Sequence, residues 1–304
     1  MSGTRIAFHC AAGALVALPL CATFAAAEVV NVPASKDAMI FGTAANADTN
    51  NASGKGPAMF AGADGSSNRK RGLMQFDIAA TVPAGAQITN VTLTLYLAQV
   101  AGSGAGGAGG NVPQRTLNLF DLQQDWGEGT SGSPTSPGVG GTGQGYPRVT
   151  GDSSWDYAIY NSADTTAGKW NAGGPDLHGG NFSSTAAASS TFNLPYNLNT
   201  AYTWSSAGMV ADVQAWLNAP SNNHGWLLKA MSGLDANNNP VDIESTPTSF
   251  LGFWTKDGAA ANNNPNIAPV LSVTYVVPEP SGFSLLLLSV ASVVARRCRK
   301  PFKA

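Results

Sequence analysis

The chain has 304 residues, with 16 Lys and Arg against 18 Asp and Glu, three cysteines and three histidines. Six of the basic residues and one acid fall in the two terminal segments, which leaves 10 basic against 17 acidic side chains in the centre, a net charge near −7. Such an acidic, sparsely charged centre argues against nucleic acid as a partner. All three cysteines are terminal (Cys10, Cys21, Cys298), which excludes central disulfides, thiolate metal sites and a cysteine nucleophile.

Residues 1–27 hold one charge, Arg5, then an apolar stretch from Ala11 to Phe24 and the small residues Ala25, Ala26 and Ala27. Small side chains at Ala25 and Ala27 suit signal peptidase, so the segment predicts a signal peptide cut after Ala27. Cys21 is not a lipid-attachment site, because Leu20 precedes it where a small residue is needed.

The centre, residues 28–277, reads as short strands between Gly, Pro and Asn clusters. Strand signals run from Asp37 to Phe41 and from Pro57 to Ala61. Leu73 to Ile78 puts Met74, Phe76 and Ile78 on one face, and Pro83-Ala84-Gly85-Ala86 turns the chain. In Val91 to Leu97 the odd positions point inward while Thr92, Thr94 and Tyr96 face out. Further strands are expected at Thr116 to Leu122, Trp226 to Ala230, Phe250 to Thr255 and Val270 to Val276. Two tracts, Gly102 to Gly110 and Gly127 to Gly145, read as flexible loops on composition. Met209, Val210, Val213, Trp216 and Leu217 recur at helical spacing, with Ser205 and Ser206 as capping residues and Pro220 beyond the end. The expected fold is all-β, an antiparallel β-sandwich of the jelly-roll kind with one short helix.

The last segment, residues 278–304, follows directly. Val277-Pro278-Glu279-Pro280 leads into an apolar run of 13 residues, Phe283 to Ala295, and then Arg296-Arg297-Cys298-Arg299-Lys300. The run is shorter than the ~20 residues that span a bilayer comfortably, and the basic cluster would stay on the cytoplasmic side. This arrangement resembles the PEP-CTERM sorting signal of Gram-negative bacteria, with Val277, Pro278, Glu279 and Pro280 as the motif. The resemblance implies export, transient membrane anchoring, processing by an exosortase, and a destination at the cell surface or in the extracellular matrix.

Several motifs of the centre also recur in order: Asp37 to Ile40, Asn68 to Ile78, Asp125-Trp126-Gly127-Glu128-Gly129 and Gly151-Asp152-Ser153-Ser154-Trp155. Ala211 to Leu217, Gly225 to Leu228 and Pro269 to Tyr275 complete the series. Together they resemble the DNRLRE domain, which is similar to carbohydrate-binding module family 96. The resemblance implies a jelly roll on a secreted bacterial protein and, in some members, binding to acidic polysaccharide. The insert from Gly129 to Gly151 departs from that pattern, and no catalytic module accompanies the domain.

Candidate ligand-binding residues follow from sugar chemistry. Trp155, Trp170 and Trp204 lie in polar surroundings where an indole could stack on a pyranose. Trp126, Trp216 and Trp226 lie in regular patterns and are assigned to the core. Arg69, Lys70 and Arg71 form the one basic cluster of the centre and could pair with a uronate carboxylate, Arg69 and Arg71 foremost; the alternative is a solvated strand start with Arg71 paired locally. Asp125 and Glu128 have the residue types of a glycosidase pair but read as a turn. No cofactor is expected. Ca²⁺ is the ion that the oxygen-rich stretches Asp48 to Asn51 and Asp235 to Asn239 would suit, although neither has EF-hand spacing. The expected function is a non-catalytic exported protein that binds or organises extracellular polysaccharide. The alternatives are a purely structural surface protein and, with neither spacing nor motif behind it, a polysaccharide lyase or hydrolase.

Overall fold

The computed structural model describes residues 26–101, 112–133, 145–171 and 181–278. Ala25, Glu279, Pro280, the apolar run after them, His178 and the Gly102 to Gly110 tract lie outside these residues, as does most of the Gly127 to Gly145 tract.

Among the described residues there are thirteen strands. In chain order they are β1 (Ala27–Gly42), β2 (Asp48–Ser53), β3 (Ala58–Ala63), β4 (Arg69–Phe76), β5 (Gln87–Val100), β6 (Gln114–Asp121) and β7 (Tyr146–Pro147). Then come β8 (Ala188–Asn193), β9 (Ala201–Trp204), β10 (Trp226–Leu234), β11 (Pro240–Asp242), β12 (Leu251–Trp254) and β13 (Val270–Val276). The alternation read from the sequence is realised in β5, where Val91, Leu93, Leu95 and Leu97 are fully buried and Thr92, Thr94 and Tyr96 are less so.

The pairing is antiparallel, and two long strands organise it. The first half of β1 pairs with β13, and after a register shift at Ala34/Lys36 its second half pairs with β4. In β5 the first half pairs with β13 and the last residues with β12. Because β12 pairs with β3 and β3 with β4, the strands β1, β13, β5, β12, β3 and β4 close into a six-membered hydrogen-bonded ring. An antiparallel β-sandwich was expected; the antiparallel, mostly β architecture is present, and the closed ring removes edges that an open sheet leaves unpaired. Beyond the ring, β10, β6 and β8 continue from β4, and β2 and β7 continue from β1.

The helix at Met209 to Leu217 is present as α1 (Ala207–Asn218). The Ser206 hydroxyl caps it by accepting the Met209 N–H at 3.0 Å, and Met209, Val213, Trp216 and Leu217 are its buried residues. The expectation of one helix is corrected by a second, α2 (Lys256–Ala261), capped by Thr255. Six residues are too few to display an amphipathic period, so its sequence carried no signal. Among the described residues no helix is long and apolar enough to cross a membrane.

The β1–β4 layer is buried on both faces, which governs everything that follows. Met39, Phe41, Met74 and Phe76 join the main core. The intervening Ala38, Ile40 and Leu73 join a second cluster with Phe120, Leu122 and Leu227, closed over by Trp126, Trp155, Ala158 and Trp170. Trp126, Trp155, Ala158 and Trp170, from irregular stretches on either side of the undescribed residues 134–144, thus form an apolar cover for the outer face of the layer.

Candidate functional site

That cover decides the fate of the tryptophans expected to stack on sugar. Trp155, Trp170 and Trp204 are 0%, 2% and 0% exposed, so none presents a ring to a ligand, and the stacking assignment is corrected. Trp170 and Trp204 donate their indole N–H groups to the carbonyls of Ser154 and Leu117, each at 3.0 Å. Trp204 stacks edge-on against Phe192 and Phe253. Trp155 lies against the backbone of Gly42, where any Cβ would come within 2.5 Å of the indole. Trp126, Trp216 and Trp226 are core residues as expected.

The structure does bring Arg71 and Trp155 together, with the guanidinium 4.6 Å from the ring centroid. Arg71 is 1% exposed, however, and grips Glu244 through two hydrogen bonds of 2.7 Å. A guanidinium held bidentately by a buried carboxylate braces the fold and is not offered to a uronate. Arg69 is half-buried and turned toward the Asn46 amide oxygen, to which it donates a hydrogen bond.

Asp125 and Glu128 are committed to different lysines. Asp125 bridges to Lys36 at 3.1 Å on the surface. Glu128 accepts from Lys256 Nζ at 2.6 Å and from the Asp37 backbone N–H at 3.1 Å. Carboxylate oxygens of Asp37, Glu128 and Asp257 lie within 4.8 Å of one another. Their hard oxygen donors suit Ca²⁺, but Lys256 Nζ is 2.6 Å from both Glu128 and Asp257, and Lys55 contacts the same two acids at 3.3–3.4 Å. Ammonium groups stand where a cation would bind, so this group of residues does not fit a metal. Asp37 is fully buried and its Oδ1 has no hydrogen-bond partner among the described residues. Burial pushes its carboxyl up to about 7, against the pull of the Lys256 backbone N–H and ammonium.

The Ca²⁺ stretches are likewise engaged internally. Asp235 accepts from the backbone N–H groups of Asn237 and Asn239 at 2.8 Å each, a side-chain-closed turn. Asp48 accepts from the Asn50 backbone N–H at 2.9 Å, from Ser154 Oγ at 3.3 Å and from Arg148. The motif residue Asp152 is a buried brace, accepting the Thr130, Ser131 and Val149 N–H groups at 2.9, 3.2 and 2.6 Å.

Among the described residues a polar pocket of about 420 Å³ opens beside the ends of β1 and β4. Phe41, Thr43 and Lys70 come from these strand ends; Asp48, Thr49 and Asn51 come from β2; Asp64 and Asn68 come from the β3–β4 turn. Lys70 is 1% exposed, directly across from Phe41 in the β1–β4 register, and donates to Asp64 at 2.9 Å. Burial lowers the Lys70 ammonium pKa, against the opposing pull of Asp64. Asp64 in turn is held below the usual carboxylate range: desolvation pushes it up, but Lys70 and the N–H groups of Asn68 and Ser66 outweigh that. A second pocket, about 340 Å³, lies between Lys36, Gln75, Asp77 and Trp216.

The sequence reading took Lys70 together with Arg69 and Arg71 as one basic cluster and did not set it apart. The strand period was the available signal: it places Lys70 on the face opposite Arg71. A pair of carboxylates was also missed. Trp216 and Trp226 donate their indole N–H groups to Asp121 and Asp212 at 3.1 and 2.8 Å. Burial and the neighbouring Asp212 raise Asp121 to about 7. In comparisons with known proteins, no family model matches this chain and no curated relative is found.

Proposed function

We propose that the protein is exported, held at the cell surface or in the extracellular matrix, and binds or organises polysaccharide there without catalysis. The pocket walled by Asp64, Asn68, Asn51 and Lys70 carries this reading, because its volume falls within the roughly 300–1,000 Å³ of small-ligand sites and its lining is hydroxyl, amide and paired charge. The terminal segments support the destination. They resemble an export signal and the PEP-CTERM tag, and signal peptidase and an exosortase would be the processing partners. We read the ring as a jelly roll whose layers are joined through the long strands β1 and β5, in keeping with the DNRLRE resemblance.

Retention of the full chain, purified after export in a Gram-negative host, on affinity gels of several polysaccharides tests this reading. Retention on at least one supports it, and release of reducing ends or unsaturated products would replace it with an enzymatic one. A structural surface protein is the second reading, favoured by one observation: β8 ends the strand path, with Ser189, Thr191 and Asn193 exposed along it. Concentration-dependent self-association without glycan retention would select it.

A further inference from the structure

We infer that the pocket beside Lys70 takes an uncharged, hydroxyl-rich sugar unit and discriminates against uronates; the inference rests on the polysaccharide reading above and names the ligand class for that site.

The charges that line the pocket are already cancelled within the protein. Asp64 accepts four hydrogen bonds, from the Ser66 and Asn68 N–H groups, the Asn68 amide and Lys70. That fills the roughly four acceptor positions of a carboxylate. Asp48 is neutralised by Arg148. A uronate entering here would find both nearby cations already paired with Asp64 and Asp48, so its carboxylate would lose water without gaining a free partner. The groups with hydrogen-bonding capacity to spare are of another kind. Thr43 Oγ1 accepts the Ala47 N–H and keeps its O–H to donate, Thr49 Oγ1 keeps one lone pair after donating to the Phe41 carbonyl and accepting the Asn51 N–H, and of the three Lys70 N–H donors one goes to Asp64 among the described residues. These match the alternating donors and acceptors of sugar hydroxyls. The walls are also held in advance: Thr49 donates to the Phe41 carbonyl at 3.1 Å, and Asn68 accepts the Ala44 N–H at 3.3 Å. Pre-set groups lower the ordering cost of binding.

Arg69 is the rival. It has no carboxylate partner among the described residues, but it turns to Asn46 and does not line the pocket. The test is therefore retention of the exported full chain on gels of an uncharged glucan, a galactomannan and a polyuronate, at ~0.05 and ~0.5 M NaCl, a range over which exposed charges become screened. We expect retention on an uncharged gel, indifferent to salt and to Arg69→Ala. Asn51→Ala should weaken it ~5–10-fold, the size of one lost hydrogen bond, and Thr43→Trp should abolish it by filling the pocket. Melting temperatures establish that each variant is folded, and either one alone decides the matter if the other is not. Retention confined to the polyuronate, falling with salt and lost in Arg69→Ala, would overturn the inference while leaving a polysaccharide-binding protein. Uncharged-glycan retention untouched by both pocket variants would overturn the assignment of the site. Silence on every gel would remove the functional reading and this inference with it.

Discussion

Lys70 and Arg71 are neighbours in β4, both 1% exposed and both paired with an acid, yet they serve different ends. Arg71 leaves the strand on the outer face, where Trp155 covers it and Glu244 grips it. Lys70 leaves on the face of Phe41, at the end of the layer, where a polar pocket opens. The difference lies in what covers each face: Arg71 is sealed beneath aromatic rings, whereas Lys70 is buried in the wall of an opening, paired with Asp64. The basic cluster therefore divides by the two-residue period of the strand.

The outer face should break most severely. Removing Glu244 leaves a buried guanidinium unpaired, so Glu244→Ala is expected to cost about 3–5 kcal/mol in denaturant unfolding. The double variant Arg71→Met/Glu244→Leu should recover most of that loss, because apolar replacements of similar size need no partner. Trp155→Ala should cost a similar ~3–5 kcal/mol through the cavity it leaves. Unchanged stability in Trp155→Ala, accompanied by altered glycan retention, would mean that the indole is a surface platform after all.

A pH-dependent effect follows from Asp37, buried in the lysine–carboxylate cluster. Its carboxyl is raised from 3.8 to about 7 in the fold. The sign follows from linkage: below pH 3.8 the group is neutral in both states and its contribution is fully present. As pH climbs toward 7 the unfolded chain ionises first and that contribution is lost, at no more than ~1.4 kcal/mol per pH unit. Wild type minus Asp37→Asn isolates this dependence from the opposite one of Asp64, whose carboxyl is lowered. A difference between the two melting curves that is flat from pH 4 to 7 would show that Asp37 is ionised throughout.

The helix cap has a smaller effect. Ser206→Ala removes the acceptor for the Met209 N–H and should cost ~1 kcal/mol, with the denaturant slope unchanged.

Regular elements were legible because their periodicity states which face is buried. Val270 to Val276 was placed without error, and the cap and buried residues of α1 were read from the spacing of Met209, Val213 and Trp216. What stayed hidden depends on contacts far apart in sequence. Trp155 and Trp170 stand among Gly, Ser and Asp, and nothing local marks them as the lid of a second core. Glu244, the partner of Arg71, is 173 positions away. The pocket is assembled from three separated stretches of chain, and its lysine was read only jointly with Arg69 and Arg71.

The Lys36–Asp125 pair completes the comparison, because it joins the same kinds of group as Arg71–Glu244 in the opposite environment. Its side chains are 28% and 61% exposed, and the N···O distance is 3.1 Å. Water and salt screen such a pair, and holding two mobile side chains together offsets most of the attraction, so Asp125→Asn should cost under ~1 kcal/mol. Lys36 also donates to the Trp126 carbonyl at 3.0 Å and lies 4.9 Å from the indole centroid, contacts that survive the substitution. Raising the salt concentration should shrink even that small difference, whereas the Glu244→Ala deficit should persist. A cost above ~2 kcal/mol for Asp125→Asn, insensitive to salt, would mean that the turn from Asp125 to Glu128 is held by its carboxylates more than by Trp126 beneath them.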